Sequence, residues 1–315
     1  MIATGQNKSK AALLAIFSVA IASAQDAIVK SMSGIYPAYE TVLIRTLTAL
    51  PLLLILLVLF GGGFRAFRTP LLGWIILRGL VLCSAYFSFI LAIAAMPIAN
   101  AVAIYFTMPF FVAMLSAPLL KEHVPYYRWL AIAAAFVGVM IMERPEHGHE
   151  LMPSLFALYS ALGYAVGQMF GRVLSQKVDP IVITNVQNAT YLLVALVLLV
   201  VVTVTGFHAD GNKSLAFLTR GFVWPTPYHL ALMGFMGMLS AIAAMSFTWA
   251  YKLGEASFVA PFEYTAMISA VVYGLIFFGD FPDFWKWVGM SVVVAAGLYM
   301  AAMDQRGRAH THKTG

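Results

Sequence analysis

The sequence predicts an all-α integral membrane protein of ten transmembrane helices, arranged as two five-helix repeats that lie upside down relative to each other. Three observations predict it. The first is composition: 62% of the 315 residues are hydrophobic and only 10% are charged, whereas a soluble domain carries about 25% charged residues. The second is a succession of apolar runs of about 20 residues, each long enough to cross a hydrocarbon layer of roughly 30 Å. The third is an internal echo. Phe247–Met300 lies on Phe89–Met142 without a gap, 158 residues apart, so that Phe89 meets Phe247, Ala92 meets Ala250, Thr107 meets Thr265, Trp129 meets Trp287 and Met142 meets Met300. Phe106 falls on Tyr264, Glu122 on Asp280 and Arg128 on Lys286. A repeated two-helix apolar unit implies an architecture of two similar halves.

The apolar windows run over 10–32, 38–60, 71–95, 98–120, 125–143, 152–175, 180–205, 228–251, 256–279 and 284–303. Residues 10–143 and 152–303 form the two repeats, and 304–315 a cytoplasmic tail. The first window follows Lys8 and Lys10, and its Ala22-Ser23-Ala24 also fits a signal-peptide cleavage site. Cleavage there would remove a span whose counterpart stays in the second half, so the window is predicted as a helix. The second window closes at Gly61-Gly62-Gly63, the fifth at Glu143-Arg144-Pro145, and the seventh at a long polar loop, Gly206–Pro227. Such clusters do not continue a helix cheaply. The sixth and seventh windows echo the first two at an offset of 142, which sets Asp26 on Gln168 and Lys30 on Arg172; after one inserted residue Pro37 meets Pro180 and Arg45 meets Asn188.

Orientation follows from the basic residues. A cytoplasmic N-terminus puts Lys8, Lys10, Arg65, Arg68, Arg128 and Arg306 with most of the others on one side, and Lys30, Arg144, Lys213, Arg220 and Lys286 opposite. Both termini are thus expected in the cytoplasm of a bacterial-type inner, or plasma, membrane. An odd number of spans per half inverts the second half.

Several functions are excluded. The net charge of +6 is spread singly over short loops, which argues against a nucleic-acid surface. Cys83 is the sole cysteine, so neither a disulfide framework nor a thiolate metal site is expected, and no cofactor is implied. No Gly-rich loop ends in Gly-Lys-Ser or Gly-Lys-Thr, and neither Gly-x-Ser-x-Gly nor His-Glu-x-x-His occurs. Asp26 and Asp280 lie away from span centres, against an intramembrane aspartyl protease. No ring of like residues marks a passive pore.

The chain resembles the drug/metabolite transporter superfamily, and within it the EamA-type transporters. The resemblance rests on Gln25-Asp26-Ala27-Ile28-Val29-Lys30 with Arg45, on Met96-Pro97-Ile98-Ala99-Asn100-Ala101, and on Thr107-Met108-Pro109-Phe110-Phe111-Val112. Leu120-Lys121-Glu122 with Arg128-Trp129-Leu130, and Phe258-Val259-Ala260-Pro261 with Gly279-Asp280-Phe281-Pro282-Asp283, complete it. Asp280 departs from the glutamate common in similar sequences. The resemblance implies ten helices, a central substrate cavity and alternating access, driven by a gradient of protons or another ion. Similar sequences include amino-acid exporters, S-adenosylmethionine carriers, riboflavin importers and metallophore exporters; a vitamin or amino-acid-like solute such as riboflavin is the expected substrate.

Ionisable groups inside the spans are the candidate site residues, because each costs several kcal/mol, about 2.5 to 3.5 on insertion scales. Glu263 is the deepest, just after Pro261 and Phe262, and stands where the first half has Tyr105. Either it binds a proton or substrate, or it pairs with a neighbouring base. Asp26 and Lys30, four apart, form one helix face and either pair with each other or reach headgroups. Arg45, inside the second span, needs a partner: Asp26 or a substrate anion. Gln168 and Arg172 mirror Asp26 and Lys30 in the sixth span. Tyr86, Tyr105, Trp249 and Tyr264 either stack on a flat solute or pack the interior. Asn185, Gln187 and Asn188 suit helix-to-helix hydrogen bonds as well as a ligand.

Overall fold

The computed structural model describes residues 5–120, 126–143, 151–206, 209, 211–253 and 262–311, and among them every regular element is helical. In chain order these are α1 (Gly5–Met32), α2 (Ala38–Phe60), α3 (Leu72–Ala95), α4 (Ile98–Tyr105), α5 (Met108–Leu120), α6 (Tyr126–Glu143), α7 (Leu151–Leu174), α8 (Pro180–Thr205), α9 (Lys213–Thr219), α10 (Pro227–Leu253), α11 (Thr265–Tyr273) and α12 (Phe284–Thr311). Six stretches among the described residues are long and apolar enough to cross a membrane: Ser9–Met32, Ala38–Phe60, Leu72–Ala95, Pro180–Thr205, Pro227–Ala244 and Phe284–Met303. Shorter apolar helices cover Ile98–Val112, Tyr126–Met142 and Thr265–Phe278.

Two windows and one loop differ from the sequence expectation. The fourth is not one helix but α4 and α5, broken at Phe106-Thr107. The polar loop 206–227 contains α9, which Asn212 caps by accepting from the N–H groups of Ser214 and Leu215. The tenth helix runs beyond residue 303 to Thr311, so the described part of the expected tail is helical. The start of the ninth window, with Phe258 and Pro261, lies outside the described residues, as do Lys121 and Glu122.

Local chemistry explains the clear boundaries. Asp179 accepts from Ile181 N–H at 2.7 Å and Pro180 occupies the first turn, which together start α8. Gly206, at φ 60°, ends it in the left-handed conformation that a side chain disfavours. A π-helical turn, Gly274–Phe278, follows α11 and is closed by Gly279 at φ 66°.

The helices gather into two compact units, and each draws on both halves of the sequence. The first holds Met1–Ala27, Pro97–Ser154 and Ile242–Gly315; the second holds Ile28–Met96 and Leu155–Ala241. With lipid as apolar as the side chains, helices associate through close packing and small residues rather than through hydrophobic burial. In the first unit α6 packs along α12. A Cβ on Gly138 would fall 2.9 Å from the carbonyl oxygen of Gly289, and one on Gly289 would meet Gly138 in turn. Only hydrogens fit there. Ala296 and Ala131, which stand 158 residues from Gly138 and Gly289 in the internal echo, are both buried in the cluster of Phe110, Ile132 and Ala135.

In the second unit α2 and α3 pack on α8 around Leu57, Ile75, Val182, Ile183 and Val186. A glycine every fourth residue along α7 lets α3 approach: Gly163 faces Ala85, Gly167 faces Leu82 and Gly171 faces the Arg78 guanidinium. Gly79 of α3 lies against Thr190 of α8, and Gly237 of α10, at the same 158-residue offset though ahead of the echoed stretch, lies against Thr48 of α2.

Candidate functional site

Two polar constellations stand out, one in each unit. In the first unit it is the helix break at Phe106-Thr107 and its counterpart, the turn at Tyr264 that opens α11. Thr107 Oγ1 donates to the carbonyl of Ile104 at 2.7 Å, and Thr265 Oγ1 donates to that of Phe262 at 2.6 Å. All four residues match in the echo, Thr107 with Thr265 and Ile104 with Phe262. The same side-chain to backbone hydrogen bond thus recurs at matching positions of the echo. After the break Pro109 brings no N–H for the carbonyl of Tyr105, which keeps α4 from continuing into α5. The residues at the break and at the turn meet: the rings of Phe106 and Tyr264 stack with centroids 4.8 Å apart and planes 28° apart. Counterparts in the repeat thus touch each other. Tyr105 sets its edge against Phe106 at 6.1 Å. Tyr264 also lies on Gly297 of α12, where a Cβ would collide with the phenol. Glu263, partly buried, directly precedes the turn at Tyr264.

In the second unit the constellation is an arginine between tyrosines. The Arg45 guanidinium carbon lies 4.3 Å from the centroid of the Tyr86 ring, and Tyr86 stands 5.9 Å from Tyr191. Both tyrosines are buried. A cation stacked on an aromatic face gains attraction from the ring quadrupole while its N–H edge stays available for hydrogen bonds. That edge is not used up: Arg45 Nε is buried and has no hydrogen-bond partner. Arg78, one of the other arginines of this unit, contrasts with it. Its Nε donates to the carbonyl of Gly167 at 3.1 Å and its Nη1 to Gln187 Oε1 at 2.8 Å. Arg78 is a structural tie, and Arg45 is a charge left open.

Several other polar groups of the second unit are absorbed by packing, although Glu40 Oε1 and Ser160 Oγ, like Arg45 Nε, are buried without a hydrogen-bond partner. Asn185 donates to the carbonyls of Leu53 and Ile181, and Asn188 to that of Thr46. Glu40, which the sequence sets five residues before Arg45, instead accepts from Val223 N–H at 3.2 Å and is wholly buried. Around it the segment before α10 is strapped to the α1–α2 turn. Arg220 Nη1 donates to the carbonyl of Ser33 at 2.9 Å, and Tyr39 Oη donates to that of Arg220 at 2.9 Å. Tyr36 Oη accepts from Thr226 N–H and bonds His229 Nδ1 at 2.8 Å. Replacing Glu40 with alanine is expected to lower stability by about 1–3 kcal/mol, because the Val223 N–H loses its buried acceptor. Glu40→Gln, which keeps an acceptor, should lose less; thermal unfolding of the detergent-solubilised variants reads the difference.

The structure thus brings Arg45 to Tyr86, and Tyr105 and Tyr264 to Phe106. Lys30 donates through Nζ to the carbonyl of Met96 at 3.1 Å, at the C-terminal end of α3, where a cation also suits the helix dipole. Asp26 is partly buried on α1. Gln168 is exposed on α7, and Trp249, 49% exposed on α10, stands at the surface rather than inside. Arg172 belongs to α7, with its side chain outside the described residues. Sequence reasoning missed Tyr191, whose tyrosine among apolar neighbours has no periodic signal, and the role of Thr107 and Thr265, whose identity across the echo was the available one.

The profile of the EamA-like transporter family matches the chain twice, over residues 9–144 and 151–302. A riboflavin transporter of Rhizobium johnstonii is 31% identical over 219 residues, 70% of this chain and 67% of that protein. An S-adenosylmethionine uptake transporter of Rickettsia conorii is 21% identical over 300 residues, 95% of each. A pseudopaline exporter of Pseudomonas aeruginosa is 26% identical over 293 residues, 92% of this chain and 95% of that one. A solved crystal structure, 18% identical, shares the fold with a TM-score of 0.61 over 93% of this chain and 97% of the other.

Proposed function

Because the chain belongs to the EamA-like transporter family, we propose that it is a secondary carrier that moves a small organic metabolite across the inner membrane by alternating access. The chain is a multi-pass membrane transporter and not an enzyme, as its family and relatives are. The observation that carries the finer reading is the helix break at Phe106-Thr107 with a matching turn at Tyr264, each followed or closed by a threonine whose hydroxyl donates to the carbonyl three residues back. Interrupted helices in corresponding places of two halves are the strongest local pointer to a carrier's substrate site, since irregular backbone is tolerated at membrane depth only inside protein or beside a cavity. The stack of Phe106 on its counterpart Tyr264 supports a pseudo-two-fold relation between the halves, hence ten spans in two inverted repeats, 10–143 and 152–303, with both termini cytoplasmic.

The substrate we propose is a vitamin or amino-acid-like solute, with riboflavin first. Relatives named riboflavin transporter in three organisms support it, and so does the supply of tyrosine rings for a flat solute. S-adenosylmethionine, amino acids and metallophores are the other solutes of the same family reading. Counterflow of labelled riboflavin, S-adenosylmethionine and an amino-acid panel in proteoliposomes tests the proposal; no exchange of any of them would overturn it.

Glu263, beside the turn at Tyr264, is the residue we place in coupling. In that position it can take up a proton on one side and release it on the other as the carrier cycles. Glu263→Gln is expected to abolish uptake driven by a proton gradient while counterflow exchange persists. A variant whose uptake keeps the wild-type pH dependence would remove Glu263 from the cycle.

A further inference from the structure

We infer that Arg45, held on the Tyr86 ring beside Tyr191, is a recognition subsite for a planar substrate edge that presents two neighbouring hydrogen-bond acceptors. The inference rests on the carrier reading and names the chemistry that one of its sites selects. Three observations lead to it. The guanidinium carbon lies over the Tyr86 ring, 4.3 Å from its centroid, so the cation is seated on a ring rather than in an ion pair. Nε is buried without a hydrogen-bond partner. Among the described residues no carboxylate lies at ion-pair distance from it.

A buried N–H donor left unpaired is costly, so such a donor is retained where something outside the chain satisfies it. Arg78 shows that this unit has ordinary means to satisfy an arginine: a backbone carbonyl, Gly167, and an amide oxygen, Gln187, take its Nε and Nη1. Arg45 sits on α2, where Thr46 and Thr48 spend their hydroxyls on their own helix and Asn188 spends its amide on the Thr46 carbonyl. These side chains donate elsewhere, and none of them accepts from Arg45 Nε.

The free edge has a shape. Nε–H and the adjacent Nη–H point the same way in one plane, the fork that pairs with two acceptors held side by side. Two solute chemistries offer such a pair: a carboxylate, and the N1 and C2 carbonyl of a flavin ring. Both are flat and can lie against the neighbouring rings of Tyr86 and Tyr191, 5.9 Å apart and tilted by 32°. A lysine in place of Arg45 would keep the charge and lose the fork.

Binding to the full-length protein in detergent tests the subsite without requiring transport. The probes are riboflavin with 1-deazariboflavin, which lacks the N1 acceptor, and S-adenosylmethionine with its carboxyl methyl ester. For whichever parent compound binds, Arg45→Lys is expected to weaken affinity by about tenfold or more, the effect of losing one hydrogen bond to a charged group. The matching blocked analogue should bind wild type and Arg45→Lys alike. Which pair responds tells whether the edge is a flavin's or a carboxylate's. Tyr86→Leu removes the ring but no charge; it takes a contact surface from both compounds and the seat of the guanidinium from the parent alone, so it should weaken the parent more than the analogue, and it serves where Arg45→Lys does not fold. Parent affinity unchanged in the variants, equal losses for parent and analogue, or wild type binding no parent better than its analogue would each overturn the subsite. Failure of the carrier reading looks different: wild type would bind a parent compound and not exchange it in proteoliposomes.

Discussion

Leucine at Gly237 is expected to abolish recovery of folded protein. A Cβ on this residue of α10 would collide with Thr48 Oγ1 and the carbonyl oxygen of Arg45, and would lie 3.0 Å from Ala49 N. Two of those three atoms belong to the backbone of α2, which cannot turn aside as a side chain can. Overpacking of a tight contact costs about 1–3 kcal/mol and more where the backbone must move; a leucine adds four carbons. The counterpart position supplies an internal control. Gly79 faces Thr190, whose Oγ1, Cβ and Cγ2 would lie 2.9–3.2 Å from a new Cβ. All three are side-chain atoms, and rotation of the threonine relieves part of the contact. Thermal unfolding should therefore rank Gly237→Ala as clearly worse than Gly79→Ala. Equal losses would mean that the backbone of α2 yields as readily as a side chain.

Arg78→Leu is the second large effect, expected to cost about 3 kcal/mol or more of stability, at about 1.5–3 kcal/mol for each hydrogen bond made by a charged group. The change strands the amide oxygen of Gln187, takes a second bond from the helical carbonyl of Gly167, and removes the guanidinium that lies against Gly171. Adding Gln187→Leu should recover part of the loss, since it takes away the stranded acceptor. The coupling between the two sites is expected at about 0.5–3 kcal/mol in a double-mutant cycle. Protein that survives should keep wild-type substrate affinity, in contrast to Arg45→Lys. Two arginines of one unit are thereby assigned opposite kinds of effect, one on folding and one on recognition.

That contrast marks where sequence reading stops. Charge inside an apolar run was enough to single out Arg45 and to ask for its partner, because burying a cation is expensive wherever it happens. It did not tell which of the two arginines has its hydrogen bonds met, since the acceptors, Gly167 and Gln187, lie far along the chain on α7 and α8. Glu40, five residues before Arg45, has the wrong spacing to pair with it on one helix face, and its partner, Val223 N–H, comes from the polar loop. The helix α9 was hidden in that loop because its seven residues are too few to show a period.

Membrane class, repeat and family were legible because they depend on sums: the hydrophobic content of whole windows, and the register of more than fifty residues against their echo. The paired threonines show both sides at once. Thr107 and Thr265 were visible as identical residues, yet a threonine within an apolar run reads as helix. Whether its hydroxyl takes the carbonyl three residues back is a choice between nearly equal local conformers. In this chain the choice accompanies contacts that only the folded unit provides, the stack of Phe106 on Tyr264 and the seat of Tyr264 on Gly297. Tertiary packing acts on such small differences, and site geometry is built from them.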